Sequence, residues 1–302
     1  MEMTTMKYFV VLAETQSLRE ASRLLHISAS ALSRQIKNFE HYFRTPLFER
    51  RANGMFLTEQ GKVVEKHVRR TIREIELAKS EIDKLQNLLT GNIQLATIEG
   101  VVESWVMPPM EAFARKYPEV SFGINISGSQ ESYSSVRNDH ADIGIAMQPD
   151  DCSGIDIVKS VETPIVIVAR QSHPFVRQPN LLLKDIVKQP FVALSHRFQT
   201  TQLFHQCLQE QGLEFEPKLE MSQISYIKDY VQSSDYLSVL PKYSVVNEVN
   251  EGELCILDMS ELPTCKTIIF VRKNRTLTHA AVHFINQLCD KVTLDSLQFA
   301  RQ

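Results

Sequence analysis

A long stretch without helix-breaking residues constrains the fold of this chain most. Thr58 is the expected N-cap of this helix, and the 29 residues between Gly61 and Gly91 contain neither glycine nor proline. Their apolar side chains follow a heptad-like track with Lys79 and Gln86 as polar interruptions. The apolar members of this track are Val68, Ile72, Ile75, Ile82 and Leu89. A helix of this length exceeds the face of one compact domain, so we expect a linker helix that packs against its twin in a dimer.

Two short helices are predicted near the start of the chain. Residues 4–15 place apolar side chains at helical spacing, and Ser17 with Glu20 has the pattern of a reciprocal capping box. The second helix should run through Leu24 or Leu25. We expect its inward side chains to be Ala21, Leu24 and Leu25.

A third helix is predicted from about Ala29 to Phe43, with Ser28 as its N-cap. Its apolar stripe would be Leu32, Ile36 and Phe39. The opposite face carries small hydroxyl side chains and two cations, Ser30, Ser33, Arg34 and Lys37. A short helix, a tight turn and a longer helix with a small, basic outer face are typical of a helix-turn-helix.

A hairpin follows, because Asn53-Gly54 lies between two arms of alternating polarity. Its first arm carries Arg50 and Arg51. A basic hairpin beside a recognition helix is a wing that can contact the DNA backbone or the minor groove.

Strands alternating with helices are predicted after Gly91, which favours parallel α/β units. The expected strands include residues 93–98, 120–127, 141–147, 155–161, 164–169, 191–194, 236–240, 254–257 and 266–272. The expected helices are residues 107–116, 181–187, 201–211, 224–232 and 278–292. Phosphate-loop, dinucleotide, zinc-protease and hydrolase motifs do not occur.

The distribution of charge and the spacing of the cysteines indicate which class of protein this is. Residues 1–90 hold 15 Lys and Arg against 11 Asp and Glu, whereas the rest holds 18 against 25. A basic head on an acidic body suggests that the head alone meets a polyanion. The five cysteines form no C-x-x-C pair, which fits a reducing cytoplasm and argues against a disulfide framework or structural zinc. Neither a signal peptide nor an apolar membrane-spanning run is expected.

The N-terminal region resembles the signature of the LysR-type transcriptional regulators over residues 4–65. The residues that carry the resemblance are Phe9–Thr15, Ser17-Leu18, Ala21–Ser28, Ala31–Ile36, Phe39-Glu40, Pro46–Arg50, Leu57-Thr58 and Gly61. Met107-Pro108 and Ala141–Ile145 are further points of similarity.

The resemblance implies an α-helical winged helix-turn-helix, a long linker helix, and an α/β effector domain with two lobes like a periplasmic binding protein. We expect the DNA-binding domain at residues 1–58, the linker at 59–90, lobe I at 91–162 with 267–302, and lobe II at 163–266. The resemblance also implies a cytoplasmic homodimer or homotetramer that binds double-stranded promoter DNA and a small-molecule effector. RNA polymerase is a further expected partner. Neither a cofactor nor a metal ion is expected.

Two positions depart from the family pattern. Ala29 stands where a base-reading glutamine is common, so only an apolar contact such as one to a thymine methyl remains there. Arg44 stands where a glycine usually closes the recognition helix. Arg44 must therefore adopt a left-handed conformation at modest cost, or the helix must end differently.

The expected DNA contacts lie on the third helix and the wing. Arg34 is the candidate for base contact, while Lys37 and the wing arginines are expected to meet phosphate. The full set is Ser28, Ala29, Ser30, Ser33, Arg34, Lys37, Arg50 and Arg51.

The expected effector contacts lie in loops at the carboxyl ends of parallel strands, where α/β folds bind ligands. Hydroxyls and helix starts there favour a polar or anionic effector, which Arg197 would attract and an inward Glu99 would repel. The set is Thr97, Glu99, Gly100, Val101, Ser127, Gly128, Ser129, Ser195, His196, Arg197, Phe198, Thr200 and Ile224.

Two of three alternative functions would require other sequence features. An enzyme would need a nucleophile with a base, or a metal cluster, and the histidines have no accompanying motif. A transport solute-binding protein would have a signal peptide and no basic head. A ligand-independent DNA-binding regulator that acts through protein partners stays open.

Overall fold

A computed structural model describes residues 3–86, 88–178, 181–257, 259 and 261–299, with side chains up to residue 292. The described chain forms two compact units. The first comprises the residues up to Gly91 with Asn138–His140, and the second comprises Asn92–Arg137 and the residues from Ala141 onward.

The α-helices and strands alternate in the second unit but not in the first. The helices are α1 (Met3–Thr15), α2 (Leu18–Leu24), α3 (Ala29–Phe43), α4 (Glu59–Leu85), α5 (Met107–Lys116), α6 (Ser129–Arg137), α7 (Leu183–Ile186), α8 (Gln199–Glu210), α9 (Ile224–Ser233), α10 (Val246–Asn250) and α11 (His279–Phe299). The strands are β1 (Phe48–Arg51), β2 (Gly54–Leu57), β3 (Gly91–Thr97), β4 (Val120–Ile126), β5 (Ile143–Met147), β6 (Ile155–Arg170), β7 (Val192–Leu194), β8 (Leu219–Met221), β9 (Ser238–Pro241), β10 (Leu254–Leu257) and β11 (Thr264–Arg272).

The first unit is a winged helix-turn-helix built on an aromatic core. The ring of Phe9 lies 5.2 Å, centroid to centroid, from both Phe39 and Phe48, which joins α1, α3 and the wing. Gly61 lets α4 start against this core, because a Cβ there would lie 2.1 Å from the carbonyl oxygen of Leu47. The three helices and the hairpin are therefore one packed body.

The helix starts confirm most of the predicted caps. The hydroxyls of Ser28 and Thr58 accept hydrogen bonds from the amides of Ala31 (3.1 Å) and Gly61 (2.9 Å). The capping box of α2 is formed in only one direction: Ser17 accepts from the amide of Glu20 at 3.3 Å.

The reciprocal bond predicted for Glu20 is wrong. Its carboxylate pairs with Arg23 at 2.6 Å, because residues three apart on a helix are neighbours. The inward position of Leu24 is also wrong, since this residue is 49% exposed at the end of α2.

Arg44 closes α3 in the left-handed conformation, with φ 53° and ψ 30°. Its amide donates to the carbonyl of His41 at 3.1 Å, and the amide of Thr45 donates to the carbonyl of Glu40 at 3.3 Å. Of the two outcomes open from the sequence, the chain therefore keeps the usual helix end and accepts an unfavourable backbone conformation.

The linker helix α4 runs from Glu59 to Leu85, so Leu89 on the predicted heptad track lies beyond its end. Val68 is buried in the first unit. Ile75 and Ile82 are 43% and 56% exposed, respectively. The C-terminal half of α4 thus keeps an uncovered apolar stripe within the monomer.

The second unit contains a seven-stranded sheet with the path β10-β6-β11-β5-β3-β4, from which β9 branches at β6. β3 pairs with β5 in parallel, whereas β11 is antiparallel to both β5 and β6. The sheet is therefore mixed, whereas the sequence suggested parallel units. The difference arises because β11 runs antiparallel to both of its neighbours.

One strand, β6, replaces the two strands predicted at residues 155–161 and 164–169. Its first part pairs with β11 from Ile155 to Pro164, and its last part pairs with β9 and β10 from Ile165 to Arg170. Pro164 does not break it, because a proline removes only one donor and the ladder continues on both sides. The two lobes of the α/β domain share this strand.

No helix within the described residues is long and apolar enough to cross a membrane.

Candidate nucleic-acid interface and ligand cleft

The N-terminal turn of α3 presents a small, polar and basic surface. Ser28, Ala29 and Ser30 are exposed, Ser33 is half-buried, and the side chains of Arg34 and Lys37 are exposed one and two turns further on. The hydroxyls of Ser28 and Ser30 lie 3.0 Å apart. Small side chains at this end let the helix approach another surface closely, while Arg34 extends from it.

The wing holds its two arginines differently. Arg51 forms an ion pair with Glu49 and lies over the ring of Phe56, 4.9 Å from its centroid. Arg50 is exposed on the same strand. Both guanidinium groups are at the surface of the hairpin, and Arg51 is the more constrained of the two.

A cavity of about 720 Å³ lies between the lobes of the second unit. Nine of the predicted effector residues line it: Glu99, Gly100, Ser127, Gly128, Ser129, Arg197, Phe198, Thr200 and Ile224. They come from the loops after β3, β4 and β7 and from the start of α9. The prediction that loops at the carboxyl ends of the strands meet at one cavity is therefore confirmed for these nine residues.

Four predicted effector residues do not line the cavity. Thr97 and Val101 are fully buried, and the Thr97 hydroxyl donates to the carbonyl of Ile98 at 3.3 Å. The Ser195 hydroxyl is buried without a hydrogen-bond partner among the described residues. His196 is exposed outside the cavity, and its carbonyl accepts from the side chain of Gln202 at 3.1 Å.

A fourth loop and two tyrosines of the lining are absent from the predicted set. Residues Met147–Asp150 follow the carboxyl end of β5 and line the cavity, so the same rule would have found them. The hydroxyl of buried Tyr133 donates to the carbonyl of Met147. Burial raises the pKa of Tyr133 and of Tyr243, and the nearby Arg137 opposes this only partly at Tyr133. Both tyrosines therefore form neutral walls.

Two further lining residues lie in a segment whose structure the sequence did not indicate. Ser222 and Gln223 follow β8, a three-residue strand that no sequence pattern predicted. Further lining residues are Ile98, Ile126, Gln130, Glu131, Leu194, Gln199, Gln202 and Pro241.

Glu99 faces lobe II rather than solvent. Its carboxylate accepts hydrogen bonds from the amides of Ile224 and Ser225, each at 2.9 Å. These are the first amides of α9, which a helix cannot satisfy by itself and which carry its positive dipole end. The carboxylate is thus held by a helix N-terminus across the cleft.

The remaining charges of the cavity are at its rim. Glu131 and Asp150 are exposed, and the exposed guanidinium of Arg197 stacks over the ring of Phe198 at 5.1 Å. Arg197 is the one cation among the described lining residues. It lies two residues before α8, whose N-cap Phe198 provides no side-chain cap.

The remaining candidates for chemistry are metal ligands and cysteine thiols. Among the residues with described side chains, no group of three or more His, Cys, Asp or Glu could hold a metal ion. The five cysteines form no disulfide in the described part of the chain. Burial, with the charge of Glu210, raises the pKa of Cys207 against the opposing bond from Gln211, which disfavours its thiolate.

Two family comparisons cover most of the chain. The bacterial regulatory helix-turn-helix family of the lysR type matches residues 3–62. The LysR substrate binding domain matches residues 86–292. The chain belongs to the LysR family. It is accordingly a LysR-type transcriptional regulator with a substrate-binding domain, in a family of regulators rather than enzymes.

Individual LysR relatives agree with this assignment over nearly the whole length. The transcriptional activator CmpR of Synechocystis sp. is 26% identical over 281 residues, which cover 93% of this chain and 92% of CmpR.

Solved LysR structures share the fold. The structure of full-length CbnR in complex with its target DNA has a TM-score of 0.65 and 15% identity, covering 96% of this chain and all of that one. The regulatory domain of Synechocystis CcmR, solved in complex with 2-PG, has a TM-score of 0.59 and 20% identity and covers 67% of this chain and 97% of that one.

Proposed function

We propose that this LysR-type regulator binds promoter DNA as a dimer or tetramer and changes activity when a polar or anionic small molecule enters the cleft. The cavity between the two lobes carries the proposal, because it collects nine of the thirteen residues expected from the sequence. The CcmR regulatory domain in complex with 2-PG supports a small-molecule ligand for this domain type.

In this proposal α3 enters the major groove and the wing contacts the backbone. Arg34 reads a base edge, while Lys37, Arg50 and Arg51 meet phosphates. Ser28, Ser30, Ser33 and Ala29 bring the helix close to the groove. The CbnR complex with target DNA supports DNA as the partner of this fold.

The exposed stripe on α4 supports self-association. Ile75, Ile82 and Leu85 are apolar and more than two-fifths exposed, which a second copy of the helix would cover. RNA polymerase is the further partner through which a promoter-bound regulator of this kind would act. Binding to promoter DNA would take place in the cytoplasm.

We retain the domain limits 1–58, 59–90, 91–162 with 267–302, and 163–266. The start of α4 at Glu59 and the shared strands β6 and β11 support them. Residues 300–302 of the last segment lie outside the described part of the chain.

The proposal is tested with the full-length protein and an operator selected from random DNA. A panel of small carboxylates, phosphates and neutral metabolites is screened for a shift in melting temperature and a change in operator affinity. We expect one compound to change both, and Arg197→Ala to weaken that response while Arg177→Ala leaves it intact. A panel without any response, together with firm operator binding, would favour the ligand-independent regulator.

A further inference from the structure

We propose that Glu99 is a built-in ligand of the cleft. Its carboxylate fills the anion position at the start of α9, so an anionic group of an effector is excluded there and directed to the Arg197 side. The inference rests on the proposed function, in which the cleft receives the effector. It makes Glu99 a residue that determines which chemical group binds where.

The first amides of α9 are bonded by a carboxylate from outside the helix. α9 begins at Ile224 after the extended residue Gln223, which provides no side-chain cap. The carboxylate that bonds the amides of Ile224 and Ser225 instead comes from 125 and 126 residues earlier in the chain. It thus reaches the helix from the other lobe, as the carboxylate of a bound molecule would.

The segment that carries Glu99 is fixed against lobe II. A Cβ on Gly100 would come within 3.0 Å of the ring of Tyr243, and the ring of Trp105 lies 5.0 Å from that of Tyr243. One helical turn after Glu99, the Glu103 carboxylate lies 2.7 Å from the ammonium of Lys228 on α9. Glu99 is therefore held in place rather than free at the rim.

The charged side chains are distributed unevenly along the cavity lining. A second carboxylate at α9 would meet the charge of Glu99 and find both first amides already bonded. Glu131 and Asp150 add negative charge elsewhere on the lining, whereas Arg197 offers a cation before the uncapped start of α8. An anionic group is thus favoured at the Arg197 side.

Hydrogen exchange of the full-length protein, followed by mass spectrometry on peptides that contain the start of α9, tests the pairing. We expect Glu99→Gln to speed exchange of the Ile224 and Ser225 amides by about tenfold or more, because a bond to a charged acceptor is lost. Glu131→Gln, which removes the same charge from the same cavity, should leave these amides unchanged. Unchanged protection in Glu99→Gln would overturn the proposal.

Sodium acetate, compared with sodium chloride at equal ionic strength, tests the exclusion of anions. Acetate should restore protection of these amides in Glu99→Ala and should not alter it in the wild type. Should Glu99→Ala not fold, the same comparison on the wild type decides: an effect of acetate on its α9 amides shows that Glu99 does not exclude anions. Neither readout uses DNA or an effector, so an absent metabolite response would defeat the proposed function and leave this result standing.

Discussion

The carboxylate of Glu40 on helix α3 accepts a hydrogen bond from the amide of Leu47 at 2.8 Å, just before the wing. The same oxygen accepts from the amide of Phe48 at 3.1 Å. Leu47 and Phe48 are both buried. These bonds fix the start of β1 to the last turns of α3, so they join the helix to the wing that we propose contacts DNA with it.

Substitution of Glu40 by alanine should therefore weaken both stability and DNA binding. Two amides in a buried segment lose a charged acceptor, which we expect to cost about 1.5–3 kcal/mol in the free energy of unfolding. Urea unfolding and operator titration measure the two effects. Glu59→Ala removes the same charge from an exposed ion pair and should cost less than about 1 kcal/mol. Equal effects of the two substitutions would refute the role given to Glu40.

Arg34 and Lys37 should differ in what they contribute to DNA binding. Arg34→Ala should lose about 1–3 kcal/mol of preference for the operator over random DNA, because a base contact is removed. Lys37→Ala should weaken binding to both DNAs alike. Competition titrations with operator and random fragments measure the preference, and an operator preference unchanged in Arg34→Ala would sink the assignment.

The wing arginines should set the salt dependence. Removal of one phosphate contact per protomer by Arg51→Ala should flatten the slope of log K against log salt by about 1 per protomer. Arg50→Ala should act similarly, while Lys188→Ala, in the second unit, should not. Titrations at several salt concentrations give the slope, and an unchanged slope in Arg51→Ala would contradict a phosphate contact.

The local elements of the first unit were predictable because their signals are local. The Ser28 and Thr58 caps and the hairpin signal at Asn53-Gly54 each depend on residues a few positions apart. The turn itself is formed by Ala52 and Asn53, because Gly54 already pairs with Arg51. Leu24 was not predictable in this way, because helical spacing does not show which side of α2 the rest of the domain covers. The continuity of β6 through Pro164 likewise depends on strands far away in sequence.

In the cleft, too, local features could be predicted from the sequence and long-range contacts could not. The loops after β3, β4 and β7 follow from the topology of parallel strands, so their lining residues could be predicted. The direction of Glu99 could not, since its partners Ile224 and Ser225 lie in the other lobe. Ser195 shows the converse, because the residue is in the right loop and its hydroxyl is turned inward.

Arg44 offers a test of stability that is separate from DNA chemistry. A side chain at φ 53° strains the end of α3, and glycine adopts this conformation without a clash. Arg44→Gly should therefore raise the free energy of unfolding by about 1 kcal/mol, measured by urea denaturation. Arg44→Ala is the matched control: it removes the same side chain, keeps the Cβ, and should give no such gain. If alanine stabilises as much as glycine, the charge of Arg44 rather than its backbone conformation is the source of the strain.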